Sequence, residues 1–157
     1  MCDNIEPLAP TLWFQRIAVT VSGDLGTDEN ALRHAAHLMQ LAPQSFRRVL
    51  PTLFDERKFE ALLEGKNLEA AARRLFAPPT TLLIEAGATP LRAVVGCAIL
   101  KRSIEGRGRT IASAVLNAWV NWLMTLRLQF GAELEVDRTP VDAGSSPRCL
   151  GDCLRVS

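Results

Sequence analysis

Apolar residues in this chain recur mostly at three- and four-residue spacing, broken by short polar stretches rich in Gly and Pro, a pattern that predicts helices. Thr27 precedes Asp28 and Glu29, an N-cap with acidic residues in the first turn, and Leu32, Ala35, Ala36 and Met39 follow as one apolar face to about Gln40. Pro43 opens a segment whose face is Phe46, Val49, Leu50, Leu53 and Phe54, bent or split at Pro51. Asp55 caps a short helix with Phe59, Leu62 and Leu63 inward and Gly65 at its left-handed C-terminal position. Asn67 caps the next, with Leu68, Ala71, Ala72 and Leu75 inward, and Pro78–Pro79 ends it. Leu82–Ala86 is a short apolar piece stopped by Gly87.

Thr89–Pro90, a cap followed by a first-turn proline, predicts a helix striped by Leu91, Val94, Val95, Ala98 and Ile99 and ended at Gly106. A last helix is expected from about Thr110 to Phe130. Its broad stripe of Ile111, Val115, Ala118, Trp119, Trp122, Leu126 and Phe130 implies cover on most sides. Leu12–Val21 fits either period, because Ile17, Val19 and Val21 alternate while Thr11 could cap a helix. The expectation is therefore an all-α or mainly α single domain over residues 11–131, with at most a short N-terminal strand. Residues 1–10 read as an irregular lead-in and 132–157 as a flexible tail. The expected core includes Leu32, Met39, Phe46, Leu50, Leu62, Leu75, Val94, Ile99, Val115, Trp119 and Trp122.

Length and composition agree with one globular domain. The 157 residues are 48% hydrophobic and 22% charged, with a formal net charge of +1, so no global field draws the chain to nucleic acid or anionic lipid. The charge is unevenly placed: residues 1–42 sum to −3, residues 43–110 to +5 and residues 111–157 to −1. The acidic N-terminus lacks a basic n-region and an apolar h-region, so a cytoplasmic location is expected. Cys97 lies in an apolar run, Cys2 stands near the N-terminus, and Cys149 and Cys153 form a tail C-x3-C without a second ligand pair. Thr110–Leu126 carries no charge over 17 residues, but it is short for a spanning helix and Ser113, Asn117 and Asn121 interrupt it. A buried central helix is expected there.

Little in the chain points to catalysis. His34 and His37 could offer two imidazoles to one metal, but no zinc-hydrolase pattern surrounds them, and they read as surface or boundary residues. No serine sits in a nucleophile elbow, and tyrosine is absent. No catalytic residue, metal or cofactor is expected. Lys101–Arg109, KRSIEGRGR, is the most distinctive polar stretch, with four basic residues in nine. It reads either as a solvated helix connection or as a docking patch for an acidic protein, through Lys101, Arg102, Arg107 and Arg109. Trp119 and Trp122 read as core, and become interface anchors only where their helix is left half covered.

Two resemblances follow from these segments. LEAAARRL (Leu68–Leu75) followed by TTLLIE (Thr80–Glu85) resembles the alanine-rich first helix and the second-helix start of helix-turn-helix regulators, which implies DNA association through Asn67–Ala86. The would-be recognition helix holds no Arg, Lys, Asn or Gln to reach base edges. The second concerns the tryptophan-bearing Leu12–Phe14, the Arg-Arg-Val-Leu-Pro end at Arg47–Pro51, a Leu/Ala-rich middle, and a helix closing on Lys-Arg-x-Ile-x-Gly at Lys101–Gly106 before a long apolar helix. This order resembles the K-type accessory protein of the type III secretion sorting platform, over roughly Arg47–Phe130. It implies a cytoplasmic, largely helical, non-enzymatic adaptor that links an inner-membrane ring component to the cytoplasmic platform. An adaptor with protein partners is the leading expectation, a DNA-associated regulator the alternative, and an enzyme subunit with a shared site the third.

Overall fold

The computed structural model describes residues 6–51, 54–77, 80–85, 87, 90–97 and 100–136. Its elements run in chain order as α1 (Pro10–Val19), α2 (Asp28–Gln40), a 3-10 helix (Gln44–Val49), α3 (Glu56–Glu64), α4 (Leu68–Arg73), β1 (Thr81–Glu85), β2 (Leu91–Cys97), β3 (Arg102–Gly108) and α5 (Ile111–Val136). The architecture is mixed α and β, not all-α, because the stretch expected to hold an apolar piece and a capped helix forms a three-stranded antiparallel sheet ordered β1-β2-β3.

The caps set the N-terminal helices. Pro10 occupies the first turn of α1, and the helix buries Trp13, Phe14 and Ile17, so Leu12–Val19 is helical and not a strand. The Thr27, Asp55 and Asn67 side chains accept the N–H groups of Asn30, Lys58 and Ala70 at the starts of α2, α3 and α4. At the end of α3 the left-handed residue is Lys66 (φ 60°) and not Gly65 (φ −79°). The Asn67 N–H donates to Leu62 O and the Lys66 N–H to Leu63 O, which closes the helix by a Schellman pair. The Lys66 ammonium in turn pairs with Glu29 at 3.0 Å.

Helix α5 is the centre of the molecule. One side lies on β3 and β2, and the other meets α4, α2 and α1. Ala114, Val115, Ala118, Trp119, Trp122, Leu123 and Leu126 are all buried, as a helix covered on two sides requires. Its start is tied down by reciprocal bonds between Thr110 and Ser113, and the Thr110 hydroxyl donates to Asp28 at 2.6 Å. The backbone continues helical to Val136; residues 137–157, with Cys149 and Cys153, lie outside the described residues, as do Cys2, Leu53, Pro78–Pro79, Thr89 and Ile99. Among the described residues no helix is long and apolar enough to cross a membrane.

The helical side of the core is aromatic. Trp13 meets Phe14 edge-to-face and Phe46 at a tilt, with centroids 5.0 and 5.6 Å away, and its indole N–H donates to Leu38 O at 2.7 Å, joining α1 to α2. The Arg127 guanidinium sits 4.6 Å from the centre of the Phe14 ring and joins α5 to α1. Of the expected core, Leu32, Met39, Phe46, Leu50, Leu75, Val115, Trp119 and Trp122 are buried. Leu62 is half-buried, and Val94 sits half-exposed on the far face of the sheet.

On the sheet side the contact is backbone to backbone. A Cβ built on Gly106 would lie 2.6 Å from both Ala114 O and Ala118 Cα, and one on Gly108 would lie 2.5 Å from Ala114 N. Only hydrogen on β3, met by alanine on α5, allows this approach. Gly106→Ala is accordingly expected to destabilise the fold by about 3 kcal/mol, the upper range for overpacking, because rigid backbone and not a side-chain tip must move. Gly23→Ala has open space around the new methyl but a φ of 90°, so only the backbone conformation opposes it, at about 1–2 kcal/mol. Urea denaturation of both variants checks the ranking.

Candidate functional site

The sheet divides its side chains by alternation. Leu82, Ile84, Ala93, Val95, Cys97, Ile104 and Gly106 lie on the face toward α5, where the β2 and β3 members are buried. The opposite face carries three cross-strand rows: Thr81, Gly96 and Ser103; Leu83, Val94 and Glu105; Glu85, Arg92 and Arg107. No described element packs on this outer face, and Leu83 at its centre is 59% exposed.

Arg92 is the hub of that face. Its Nη1 donates to Glu85 at 2.9 Å, and its Nε and Nη2 donate to Glu105 at 2.7 and 2.6 Å. Glu105 also accepts from Arg107 Nη2 at 3.3 Å. The ladder spans all three strands. The hydrogen bond from Arg92 holds the Glu105 carboxyl below the ordinary glutamate range, and the two carboxylates hold the Arg92 guanidinium above its ordinary value.

The four basic residues expected to act together are spread out. Lys101 sits in the β2–β3 turn with φ 55°, and Arg102 opens β3 opposite Cys97. Arg107 stands five residues along the extended strand, about 17 Å away at 3.4 Å per residue, on the opposite face of the sheet. Arg109 follows in the link to α5. All four are exposed, but Lys101 and Arg102 mark one end of β3 and Arg107 and Arg109 the other. The stretch is therefore a turn and a strand, not a helix end. Gly106 and Gly108, which look in sequence like loop glycines, serve the α5 contact.

Trp119 and Trp122 are 0% and 1% exposed, held between the sheet and the helical side, with the Phe76 ring tilted against Trp122 at 5.5 Å. Neither indole N–H has a hydrogen-bond partner among the described residues. They are core residues, out of reach of a partner docking on the folded surface. His34 Nε2 donates to Arg16 O at 3.2 Å, while His37 is exposed on α2. Among the described residues no group of three or more His, Cys, Asp or Glu could hold a metal ion. The residues that would form a recognition helix form β1, so the helix-turn-helix resemblance does not extend to the fold. No protein-family model, curated protein or solved structure matches the chain.

What sequence reading missed at this face is Arg92, Glu85, Glu105 and Leu83. The available signal was the alternation Leu91, Ala93, Val95, Cys97, which places Arg92 on the other side of a strand.

Since Glu105 titrates below its ordinary value in the folded protein, the ladder's contribution is present above the ordinary glutamate range and is lost as pH falls through the lowered value. Glu105→Gln is thus expected to lower the thermal midpoint at neutral pH and to lower it less at an acidic pH below the ordinary glutamate range. Melting curves at the two pH values check this; an equal deficit at both would show that the ion pairs are not its source.

Proposed function

We propose that this protein is a non-enzymatic adaptor or assembly subunit whose work is to bind other proteins. The observation that carries the reading is the outer face of the sheet, uncovered by any described element and holding an exposed leucine inside a ladder of alternating charge. A face of this kind offers a partner apolar contact at Leu83 and Val94, and fixes orientation through Arg92, Arg107 and the two glutamates. Arg109 extends the basic end of the face toward the start of α5.

In its narrower form the proposal places the chain in the cytoplasmic part of a type III secretion apparatus, between a membrane-ring component and the sorting platform. Support for that form is the order of segments from Arg47 to Phe130. The structure modifies one part of it, since Lys101–Gly106 is a turn and strand and does not close a helix.

Charge reversal tests the surface. Arg107→Glu and Arg109→Glu combined are expected to abolish partner capture from native cells while moving the thermal midpoint by only a few degrees, because exposed ion pairs contribute at most about 1 kcal/mol; Arg102→Glu, at the other end of β3 and on the opposite face, is expected to leave capture unchanged. Affinity capture of the tagged full chain with mass spectrometry reads the first part and a melting curve the second. Unchanged capture by the double variant rejects the surface. Capture of nucleic acid alone, lost steeply with salt, rejects the class.

A further inference from the structure

The two edges of the sheet are finished differently. At β3 the carbonyls of Glu105 and Arg107 point away from β2, and α5 covers them: Asn121 Nδ2 donates to Glu105 O at 2.9 Å and Asn117 Nδ2 to Arg107 O at 3.0 Å. That edge is closed to another strand. At β1 the Leu82 carbonyl faces outward and, among the described residues, accepts from the exposed Arg73 Nη1 at the long distance of 3.4 Å. By alternation the peptide groups of Ile84 face outward too. Among the described residues no strand pairs with this edge.

We infer that β1 pairs antiparallel with β1 of a second copy of this chain, joining two three-stranded sheets into one six-stranded sheet about a two-fold axis through Leu83. This goes beyond the adaptor reading and does not depend on it.

The strand itself is complementary to a second copy. With the axis at Leu83 all five residues of Thr81–Glu85 overlap. Leu82 of each copy faces Ile84 of the other with outward peptide groups matched, giving two doubly hydrogen-bonded pairs. Between them the two Leu83 side chains form a close non-hydrogen-bonded pair that shields one flank of each leucine and leaves the outer face of the sheet open. Each Glu85 falls opposite a Thr81 and never opposite the other Glu85, so no like charges meet. The strand carries no lysine or proline of the kind that bars edge pairing. Arg73 is held independently by Glu69 at 3.1 Å, so the Leu82 carbonyl can be released. Because the β3 edge is capped by Asn117 and Asn121, the assembly closes at two copies and cannot extend as a filament.

Sedimentation velocity of the full chain over a wide concentration range tests this. A reversible species of twice the 17.2 kDa chain mass is expected, with the Leu82 and Ile84 amides slow to exchange at high concentration and fast on dilution. Leu83→Lys places two ammonium groups against each other at the axis and should weaken dimerisation by roughly tenfold or more. Its side chain is exposed, so unchanged circular dichroism is expected. Thr81→Lys places a cation opposite Glu85 of the other copy at two symmetric positions, and should tighten the dimer by roughly threefold at low salt. A chain that stays monomeric throughout overturns the inference, as does a dimer indifferent to Leu83→Lys. Weakening by Thr81→Lys overturns the register.

Discussion

Everything on the sheet side of this protein depends on how closely α5 can approach β3. Packing between a helix and a sheet is normally separated by side chains from both, but here a strand glycine meets helix alanines with no side chain between them. That approach brings Asn117 and Asn121 within reach of the β3 carbonyls, and it seats the α5 backbone directly on the buried Gly106. It also fixes the rotation of α5 about its own axis. Once Ala114 and Ala118 face β3, Trp119 and Trp122 must turn toward the remaining interior, where the Phe76 ring lies tilted against Trp122. The stability of the sheet, the closure of one of its edges and the burial of both tryptophans are consequences of the same contact.

The helical side is held by different means. Caps at Thr27, Asp55 and Asn67 set where helices begin, the Trp13–Phe14–Phe46 cluster joins them, and Arg33 links α2 to α3 through a bidentate pair with Glu60 while also reaching Glu29 at 2.8 Å. Lys66 completes that network from a left-handed backbone position. These polar contacts are largely at the surface, so they orient the elements more than they stabilise them, and apolar burial around α5 supplies the greater part of the cohesion. The outcome is a scaffold that covers one face of the sheet thoroughly and, among the described residues, leaves the other uncovered. The open face carries ion pairs across all three strands, which suit water and protein partners equally well.

Much of the N-terminal half was legible in the residues alone. A cap side chain acts on backbone groups two or three residues away, so Thr27, Asp55 and Asn67 announce their helices without help from the rest of the chain. The long uncharged run after Thr110 likewise announced a helix covered on several sides, because no one-sided surface could satisfy so broad an apolar stripe. The β region was not legible in the same way. Leu91–Cys97 satisfies a period of two and a period of nearly four at once, and a proline after threonine is compatible with either a helix start or a strand start. Which period holds was decided by partners distant in sequence: β3 across the turn at Lys101, and the backbone of α5 against Gly106 and Gly108. Arg92 and Arg107, paired across β2 and β3, join the outer ladder only once that register exists. What the sequence by itself determined is thus the local chemistry of helix starts, the central apolar helix and the mixed charge of the middle segment. Tertiary structure alone decided the sheet, its ladder and which of its edges is closed, because those rest on contacts between residues that no local rule connects.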